Sequence, residues 1–350
     1  MAEDDELARE LARGVEEGVA PAAVLLLWRE DGPRTLCAGQ ADPETVFDLA
    51  SLTKPLATAL LALDLAASER LTWEITLEEV LGHAVPPDKK GLTLRRLLTH
   101  SGGYPAHRPY FQLLEKQPRP ARRGLLKAML MNEPLEYPPG SRALYSDLGY
   151  LLAGMLLEEV GAERLDLACR RIYGLLGVEG PRYLPLDEPL PWPVQRIAPC
   201  GSLPGRDHIQ GQVEDENAFA LGGVAGHAGL FGTAGQVAAV MDALCRAARR
   251  EGPWPPELVG ELLRRDPQTP HSPRTLGFDT PQGPQSAAGP NPPSGVVGHL
   301  GFTGVSLWWH PASNRGVVLL TNRVALGRDN QGIAAFRRRI HRLAWPLLGF

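Results

Sequence analysis

Residues 47–65 read Phe-Asp-Leu-Ala-Ser-Leu-Thr-Lys-Pro-Leu-Ala-Thr-Ala-Leu-Leu-Ala-Leu-Asp-Leu, an apolar stretch that opens with a serine and, three residues later, a lysine. Pro55 has no backbone N–H and fits only the first turn of a helix, so we expect a regular helix to begin near Leu52 with Ser51 as its N-cap. The spacing of three puts Ser51 and Lys54 on one helix face. Lys54 could then take the hydroxyl proton as Ser51 attacks a carbonyl, which makes the two a candidate nucleophile and base.

The simpler alternative is that Ser51 is an ordinary N-cap and Lys54 a solvated residue of the first turn. Lysine is rare in this chain, with 5 among 350 residues, and no other serine is followed by a lysine at this spacing. The helix dipole also opposes a positive charge in the first turn. Both points favour a chemical role, but so short a pattern needs support from elsewhere in the sequence.

The composition is that of a folded, enzyme-sized chain. Hydrophobic residues make up 43% and charged residues 22% of the 350 positions, with 38 glycines and 33 prolines for turns. A formal net charge of −4 argues against nucleic acid as a partner. We expect a small-molecule or peptide substrate, and the oligomeric state stays open.

The amino terminus gives an expectation about the compartment. It begins Met-Ala-Glu-Asp-Asp-Glu, whereas a secretory signal begins with positive charge, and we find no apolar run of membrane-spanning length. We expect a cytoplasmic protein, or a periplasmic one if a leader has been removed. The four cysteines are widely spaced and suggest neither a zinc site nor a disulfide framework, so no cofactor and no metal are predicted.

Both ends of the chain predict strands and the middle predicts helices. An amphipathic helix at 4–19 is followed by a hairpin of strands at 22–28 and 35–38. Strands at 295–299, 305–310 and 316–321 precede a closing helix at about 330–347. We therefore predict an α/β (α+β) fold in a single domain, residues 1–350, with one antiparallel sheet built from both termini and flanked by helices. Residues 1–68 and 230–350 would form this sheet-containing lobe and residues 69–229 a mostly helical lobe, with the active site between them.

Tyr145-Ser146-Asp147 stands just before an apolar helix predicted at 151–160. Tyr145 and Asp147 should therefore lie on a loop or first helical turn, from which polar groups can project into a cleft. A proline-rich stretch at 253–293, broken only by a helix at 257–265, is a candidate mobile segment.

Three motifs, far apart in the sequence, form a single pattern: Ser51-Leu-Thr-Lys54, Tyr145-Ser-Asp147 and His299-Leu-Gly301. Their order and spacing resemble the serine β-lactamase and penicillin-binding protein superfamily. The chain is most similar to the class C branch, with its D-alanyl-D-alanine carboxypeptidases and esterases. That branch shows Ser-x-x-Lys, then Tyr-x-Asn, then Lys-Thr-Gly or His-Thr-Gly on a strand near the carboxyl terminus. Supporting segments lie at 97–103, 215–218, 222–231 and 301–308, so the resemblance covers essentially the whole chain and implies a β-lactamase/transpeptidase-like fold.

The resemblance also implies roles for individual residues. Ser51 would attack the carbonyl while Lys54 and Tyr145 move the proton, and Tyr145 or Lys54 would later activate the water that cleaves the acyl-enzyme. The backbone N–H groups of Ser51 and Phe302 would form the oxyanion hole. The strand of His299 would pair with the substrate.

Asp147, His299, Leu300 and Gly301 are the candidate substrate-binding residues, and two of them depart from the family pattern. Asp147 stands where asparagine is usual. A carboxylate beside Lys54 favours its charged ammonium form and weakens it as a base, so Tyr145 would act as the base instead. Leu300 replaces the usual threonine and removes a hydroxyl that could bind a substrate carboxylate. We therefore expect an ester, an amide or a cell-wall fragment as substrate rather than efficient β-lactam hydrolysis. Gly301 would let a substrate backbone approach the strand closely.

The leading interpretation is a metal-free serine hydrolase that works through an acyl-enzyme. An acyltransferase using the same acyl-enzyme, and a non-catalytic binder of β-lactams or peptidoglycan fragments, remain as alternatives. His208, Asp215 and His227 could be imagined as metal ligands, but no His-x-x-x-His or cysteine pair supports that reading, and His227 is taken as structural. His100 is interpreted as a helix C-cap.

Overall fold

The structure, a computed structural model, describes residues 2–350, with all of their side chains except those of residues 2–4 and 83. Its strands are β1 (Ala22–Trp28), β2 (Arg34–Gly39), β3 (Phe47–Asp48), β4 (Arg182–Tyr183), β5 (Leu230–Gly232), β6 (Val297–Leu300), β7 (Ser306–His310) and β8 (Arg315–Thr321). Its helices are α1 (Ala2–Glu16), α2 (Ala59–Ala67), α3 (Leu77–Leu81), α4 (Leu94–Leu98), α5 (Phe111–Leu114), α6 (Arg119–Asn132), α7 (Asp147–Gly161), α8 (Leu165–Leu175), α9 (Glu216–Ala220), α10 (Ala234–Ala247), α11 (Pro256–Leu263) and α12 (Gly332–Leu347).

A five-stranded antiparallel sheet joins the two ends of the chain, in the order β2-β1-β8-β7-β6. β1 is almost wholly apolar because both of its faces are covered. Since side chains alternate along a strand, Val24 and Leu26 enter the core on one face of the sheet while Leu25 and Leu27 enter the core on the other. The predicted α/β (α+β) architecture, with a sheet built from both termini, is confirmed.

Helices α1 and α12 cover the second face of the sheet. Leu7 and Leu11, four residues apart on α1, are fully buried there against Phe336 and Ile340 of α12. Gly14 permits this close packing, because a Cβ at that position would lie 2.2 Å from the Phe336 ring. The apolar side chains of the amphipathic amino-terminal helix are therefore the ones that pack on the sheet.

The first face carries α2, α10 and the helices of residues 69–229, which share the larger core. A second, three-stranded sheet, in the order β3-β5-β4, connects the two parts of the chain. Its first strand, β3, leads directly into Ser51, and its central strand, β5, forms the end of the glycine-rich run at 221–232. The small sheet thus places these two segments side by side.

The segment around Ser51 differs from the predicted regular helix. Ala50–Leu52 forms a 3₁₀ turn and Lys54–Thr58 a π-helical turn, and the α-helix starts only at Ala59. Pro55 explains the difference, because without an N–H it cannot donate to the carbonyl of Ser51. Ser51 therefore lies within a tight turn and is not an N-cap, contrary to our prediction.

Residues 50–67 also form the single stretch in the described part of the chain that is long and apolar enough, by length and composition, to cross a membrane. In the folded protein 83% of this stretch is buried. Such burial is that of a core helix, so the stretch gives only weak support for a membrane span. By this criterion the prediction that no apolar run reaches membrane-spanning length is wrong.

The proline-rich stretch at 253–293 packs on the rest of the protein rather than standing apart from it. After α11, residues 274–279 turn back on themselves, and Asp279 exchanges two backbone hydrogen bonds with Gly298, of 2.6 and 2.9 Å. Leu276 and Phe278 of this hairpin are buried in the larger core. The hairpin 274–279 thus covers part of the outer edge of β6, close to His299.

Candidate active site

The turn at Ser51 brings the predicted nucleophile and base together. Lys54 Nζ donates a hydrogen bond of 3.0 Å to Ser51 Oγ and one of 3.2 Å to the backbone carbonyl of His227. The Lys54 side chain is fully buried, whereas Ser51 opens onto a cavity. Ala50, just before the serine, has a φ of 46°, a left-handed conformation that is costly for a residue with a Cβ. Asp48 holds this turn by accepting the Ala50 N–H at 2.8 Å.

Asp147 is the first residue of α7 and forms an ion pair with Lys54. Its Oδ1 accepts from Lys54 Nζ at 2.7 Å, and its Oδ2 lies 3.9 Å from Nδ1 of His107. Burial alone would lower the pKa of Lys54, but Asp147 and Tyr145 outweigh it, so that the pKa is raised. Burial would likewise raise the pKa of Asp147, but Lys54 and His107 bring it well below its usual range. The resting site therefore holds an ammonium and a carboxylate.

Tyr145 completes the group. Lys54 Nζ lies 4.7 Å from the centre of its ring, and the phenol interacts with both Lys54 and Ser51. Burial raises the pKa of Tyr145, and Lys54 partly opposes this rise. The ring packs against His100 with centroids 4.5 Å apart.

His100 does more than end a helix. Thr99 is the C-cap of α4, and His100 follows it with a left-handed φ of 56°. Its Nδ1 accepts the N–H of Ser146 at 3.0 Å, which fixes the backbone between Tyr145 and Asp147. His100 is thus a buried positioning group for the Tyr145-Ser146-Asp147 motif.

The two predicted oxyanion donors are free to act. In the part of the chain that the structure describes, no protein group accepts a hydrogen bond from the backbone N–H of Ser51 or of Phe302. Gly301 brings the two segments together, since a Cβ there would lie 2.3 Å from Val305 and 2.9 Å from the carbonyl of Leu49. Packing within the protein therefore requires a glycine at this position. That Gly301 also lets a substrate backbone approach the strand stays a prediction.

His299 and Leu300 lie on β6 and line the same cavity. Nδ1 of His299 is 2.7 Å from the Leu300 carbonyl oxygen, which makes it the protonated nitrogen. Burial, with Lys54 and Arg274 nearby, lowers the pKa of His299 well below its usual value, so the ring is neutral. Nε2 is then an acceptor, and within the described residues it has no partner.

These residues share a cavity of about 790 Å³. Its wall includes apolar side chains, among them Phe111, Phe302 and Ile333, which suits a ligand with an apolar part. Phe302 is 48% exposed at the cavity. The structure thus gathers Ser51, Tyr145, Asp147, His299, Leu300, Gly301 and Phe302 around one space, with Lys54 beneath it.

Several residues of the cavity carried no signal in the sequence. Arg274, from the hairpin 274–279, places its guanidinium 5.4 Å from the Tyr145 ring centre and pairs with Asp279. His107 follows the helix stop at 102–105, and Arg323 and Arg337 come from the carboxyl-terminal segment. Each belongs to a segment without a local motif, so only the fold brings it to the site.

The imagined metal trio is not assembled as a cluster. His227 Nε2 bonds Asp215 Oδ1 at 2.8 Å, beside the cavity, whereas His208 is exposed. Among the described residues no group of three or more His, Cys, Asp or Glu side chains is arranged to hold a metal ion. The buried His227 and the half-buried Asp215 thus form a pair next to the His227 carbonyl that faces Lys54.

The arrangement brings together the Ser51 hydroxyl, the Lys54 ammonium and the Tyr145 phenol, beside two backbone N–H groups that have no acceptor among the described residues. A carbonyl carbon above Ser51 could be attacked while its oxygen receives those donors. This is the layout that acyl transfer requires.

Comparisons with known proteins identify the family of the chain. A sequence model of the family described as "Beta-lactamase" matches residues 7–342, nearly the whole chain. One relative, from Escherichia coli O157:H7, carries the name "Putative D-alanyl-D-alanine carboxypeptidase" and is 30% identical over 328 aligned residues, which cover 81% of this chain and 70% of the relative.

Two solved structures illustrate the shared fold. EstCE1, described as a hydrolase with promiscuous acyltransferase activity, superposes with a TM-score of 0.73 at 21% identity, covering 97% of this chain and 99% of its own. A class C β-lactamase from Rhodobacter sphaeroides superposes with a TM-score of 0.69 at 18% identity, and the superposition covers 96% of this chain and 99% of the β-lactamase. At such identities the superpositions speak for the fold alone. On the family match and the sequence relative, the chain belongs to the β-lactamase family.

Proposed function

We propose that the protein is a serine hydrolase that forms an acyl-enzyme at Ser51. The observation that carries the proposal is the hydrogen bond of 3.0 Å between Lys54 Nζ and Ser51 Oγ, at the edge of a cavity with two free backbone donors. A buried charge is costly, but Asp147 already compensates that of Lys54, so a purely structural lysine would not need the contact with Ser51 Oγ.

The chemistry proceeds in two halves. Ser51 Oγ forms a bond to the carbonyl carbon, its proton passes to the Lys54–Tyr145 pair in its deprotonated form, and the carbonyl π electrons move to the oxygen held by the N–H groups of Ser51 and Phe302. Collapse of this intermediate expels the leaving group, which takes up the proton. Water then attacks the acyl-enzyme carbonyl carbon and gives a proton to the same base, the bond from that carbon to Ser51 Oγ breaks, and Oγ takes the proton as the acid product leaves.

The environment of the base favours Tyr145 as the group that accepts the proton. The Asp147 carboxylate holds Lys54 as an ammonium, which cannot accept a proton but can stabilise a phenolate at Tyr145. Activity should accordingly rise with pH as the Lys54–Tyr145 pair loses a proton, and the apparent pKa belongs to the pair rather than to either residue.

For the substrate we propose an ester, an amide or a cell-wall peptide. The carboxypeptidase name of the E. coli relative supports the peptide, and the apolar cavity wall accommodates an ester equally well. EstCE1's described acyltransferase activity keeps transfer to an alcohol or amine acceptor as the second candidate, because both outcomes share the acyl-enzyme.

The test is intact mass after incubation with a fluorophosphonate and, separately, with a labelled penicillin, followed by peptide mapping. We expect Ser51 to carry the fluorophosphonate, Ser51→Ala to lose it, and the exposed Ser68→Ala, beyond the far end of α2, to keep it. Penicillin labelling as well would direct the search to cell-wall peptides, and fluorophosphonate alone to esters. Labelling by neither reagent, or at another residue, would contradict the proposal. Product analysis with added alcohols and amines separates hydrolysis from transfer.

A further inference from the structure

The loop 301–305, which carries the Phe302 N–H, is held from behind by two arginines. Arg337, on α12, donates from Nη2 to the carbonyls of Gly301 at 2.7 Å and Val305 at 2.5 Å. Arg323 donates from Nε to the carbonyl of Phe302 at 2.9 Å, and from its backbone N–H to the carbonyl of Thr303 at 3.0 Å. Four consecutive or nearly consecutive peptide groups are thus fixed by these two residues.

Both arginines are buried without a charge partner. Arg337 is 7% and Arg323 6% exposed, and in the described part of the chain no carboxylate oxygen lies within 4.0 Å of either guanidinium. Nε of Arg337 has no hydrogen-bond partner there either. Other arginines at the cavity are compensated, since Arg328 pairs with Glu214 and Glu216 and Arg274 with Asp279.

A guanidinium that is buried without a carboxylate partner destabilises the folded protein, so its presence here suggests a functional role. Burial, together with the nearby charge of Arg323, lowers the pKa of Arg337, because both destabilise the charged guanidinium. A purely structural brace could be made by a neutral donor. A positive charge is useful where negative charge develops during the reaction, in a site from which water is excluded.

We propose that Arg337 and Arg323 are positioning residues for the oxyanion hole, which orient the Phe302 N–H and supply positive potential behind it. The inference rests on the proposed function, because it takes Phe302 as an oxyanion donor. It assigns to the two arginines a contribution that grows as the carbonyl oxygen becomes negative, and is therefore larger in the transition state than in the substrate complex.

The same side chains could instead bind a negatively charged group of the substrate, since both line the cavity. An uncharged substrate separates the two readings. Arginines that act through the loop matter for every carbonyl that Ser51 attacks, whereas arginines that bind a carboxylate matter only for substrates that carry one.

The experiment compares Arg337→Met, Arg337→Lys and wild type on an uncharged p-nitrophenyl ester and with an uncharged alkylboronic acid, which adds to Ser51 as a tetrahedral anion. Arg342→Met, an exposed arginine on the same helix, is the matched control. We expect Arg337→Met to lower kcat/KM between about 10- and 100-fold, less than the loss of an oxyanion donor itself, with KM nearly unchanged. Boronate affinity should fall by a similar factor, Arg337→Lys should lie between, and the control should match wild type.

Unchanged ester turnover and boronate binding in Arg337→Met would overturn the inference, as would a loss confined to carboxylate-bearing substrates. If the methionine variant fails to fold, judged by circular dichroism, Arg337→Lys and Arg323→Lys still decide, because both keep the charge and lose hydrogen bonds to the loop. If wild type itself neither turns over the ester nor binds the boronate at Ser51, the proposed function fails and takes the inference with it. Normal Ser51 chemistry with insensitive arginine variants refutes the inference alone.

Discussion

At the scale of single residues, one carboxylate sets the protonation of the site. Asp147 lies 2.7 Å from Lys54 Nζ and raises the pKa of Lys54 and of Tyr145, since a negative charge favours the ammonium and opposes the phenolate. An asparagine keeps the shape and removes the charge. Both pKa values should then fall.

We predict that Asp147→Asn moves the rising limb of the pH profile of kcat/KM to lower pH by about 1 unit or more, the usual effect of one close charge. The sign follows because the deprotonated pair becomes available at lower pH, so activity near neutrality is kept or increased. Stopped-flow or steady-state rates of ester turnover between neutral and alkaline pH check this. A hundredfold loss without a shift would make Asp147 a participant in the chemistry.

Local spacing predicts contacts within one segment, whereas the grouping of Ser51 with Tyr145 and His299 followed only from the family resemblance. Three residues separate Ser51 from Lys54, and the structure places them 3.0 Å apart. Tyr145 and Asp147 flank a helix start, as expected. The π-helical turn Lys54–Thr58 departs from the predicted regular helix because Pro55 cannot donate to the carbonyl of Ser51, although a proline also fits the first turn of an α-helix.

At the scale of elements, the hairpin 274–279 shows what sequence patterns leave out. The prolines of the surrounding stretch, residues 253–293, indicated a mobile segment, yet the tip of the hairpin lies against α2, where a Cβ at Gly277 would be 2.5 Å from Ala59. The strands and terminal helices were predictable because their apolar periodicity reflects burial within the element itself. The position of a loop on another element is a tertiary contact with no period, and so Arg274 could not be foreseen.

Arg274 supplies the prediction at this scale. Its guanidinium stands 5.4 Å from the Tyr145 ring and favours a phenolate there. Arg274→Met should raise the pKa of the Lys54–Tyr145 pair and move the rising limb of kcat/KM to higher pH, opposite to Asp147→Asn. Arg274→Lys keeps the charge and should stay close to wild type. Parallel pH profiles of the three proteins measure this, and a shift in the same direction as Asp147→Asn would refute it.

At the scale of the whole molecule, the five-stranded sheet separates two hydrophobic cores that have different roles. The larger core holds α2 and the walls of the site, and the smaller one joins α1 and α12 to the opposite face. Leu11 is fully buried in the smaller core, on the face of the sheet opposite α2. Damage there should reach stability before it reaches chemistry.

We predict that Leu11→Ala lowers the free energy of unfolding by about 2–5 kcal/mol, the cost of removing a buried leucine and leaving a cavity. Leu113→Ala, the same change at a side chain that is 51% exposed, should stay within about 0.5 kcal/mol of wild type. Urea denaturation followed by circular dichroism measures both. The rate of Ser51 labelling by a fluorophosphonate, per folded molecule, should be equal in the two variants, because neither side chain borders the cavity. A labelling rate that falls with stability in Leu11→Ala would mean that the smaller core shapes the active site through α12, and that the two faces of the sheet do not act independently.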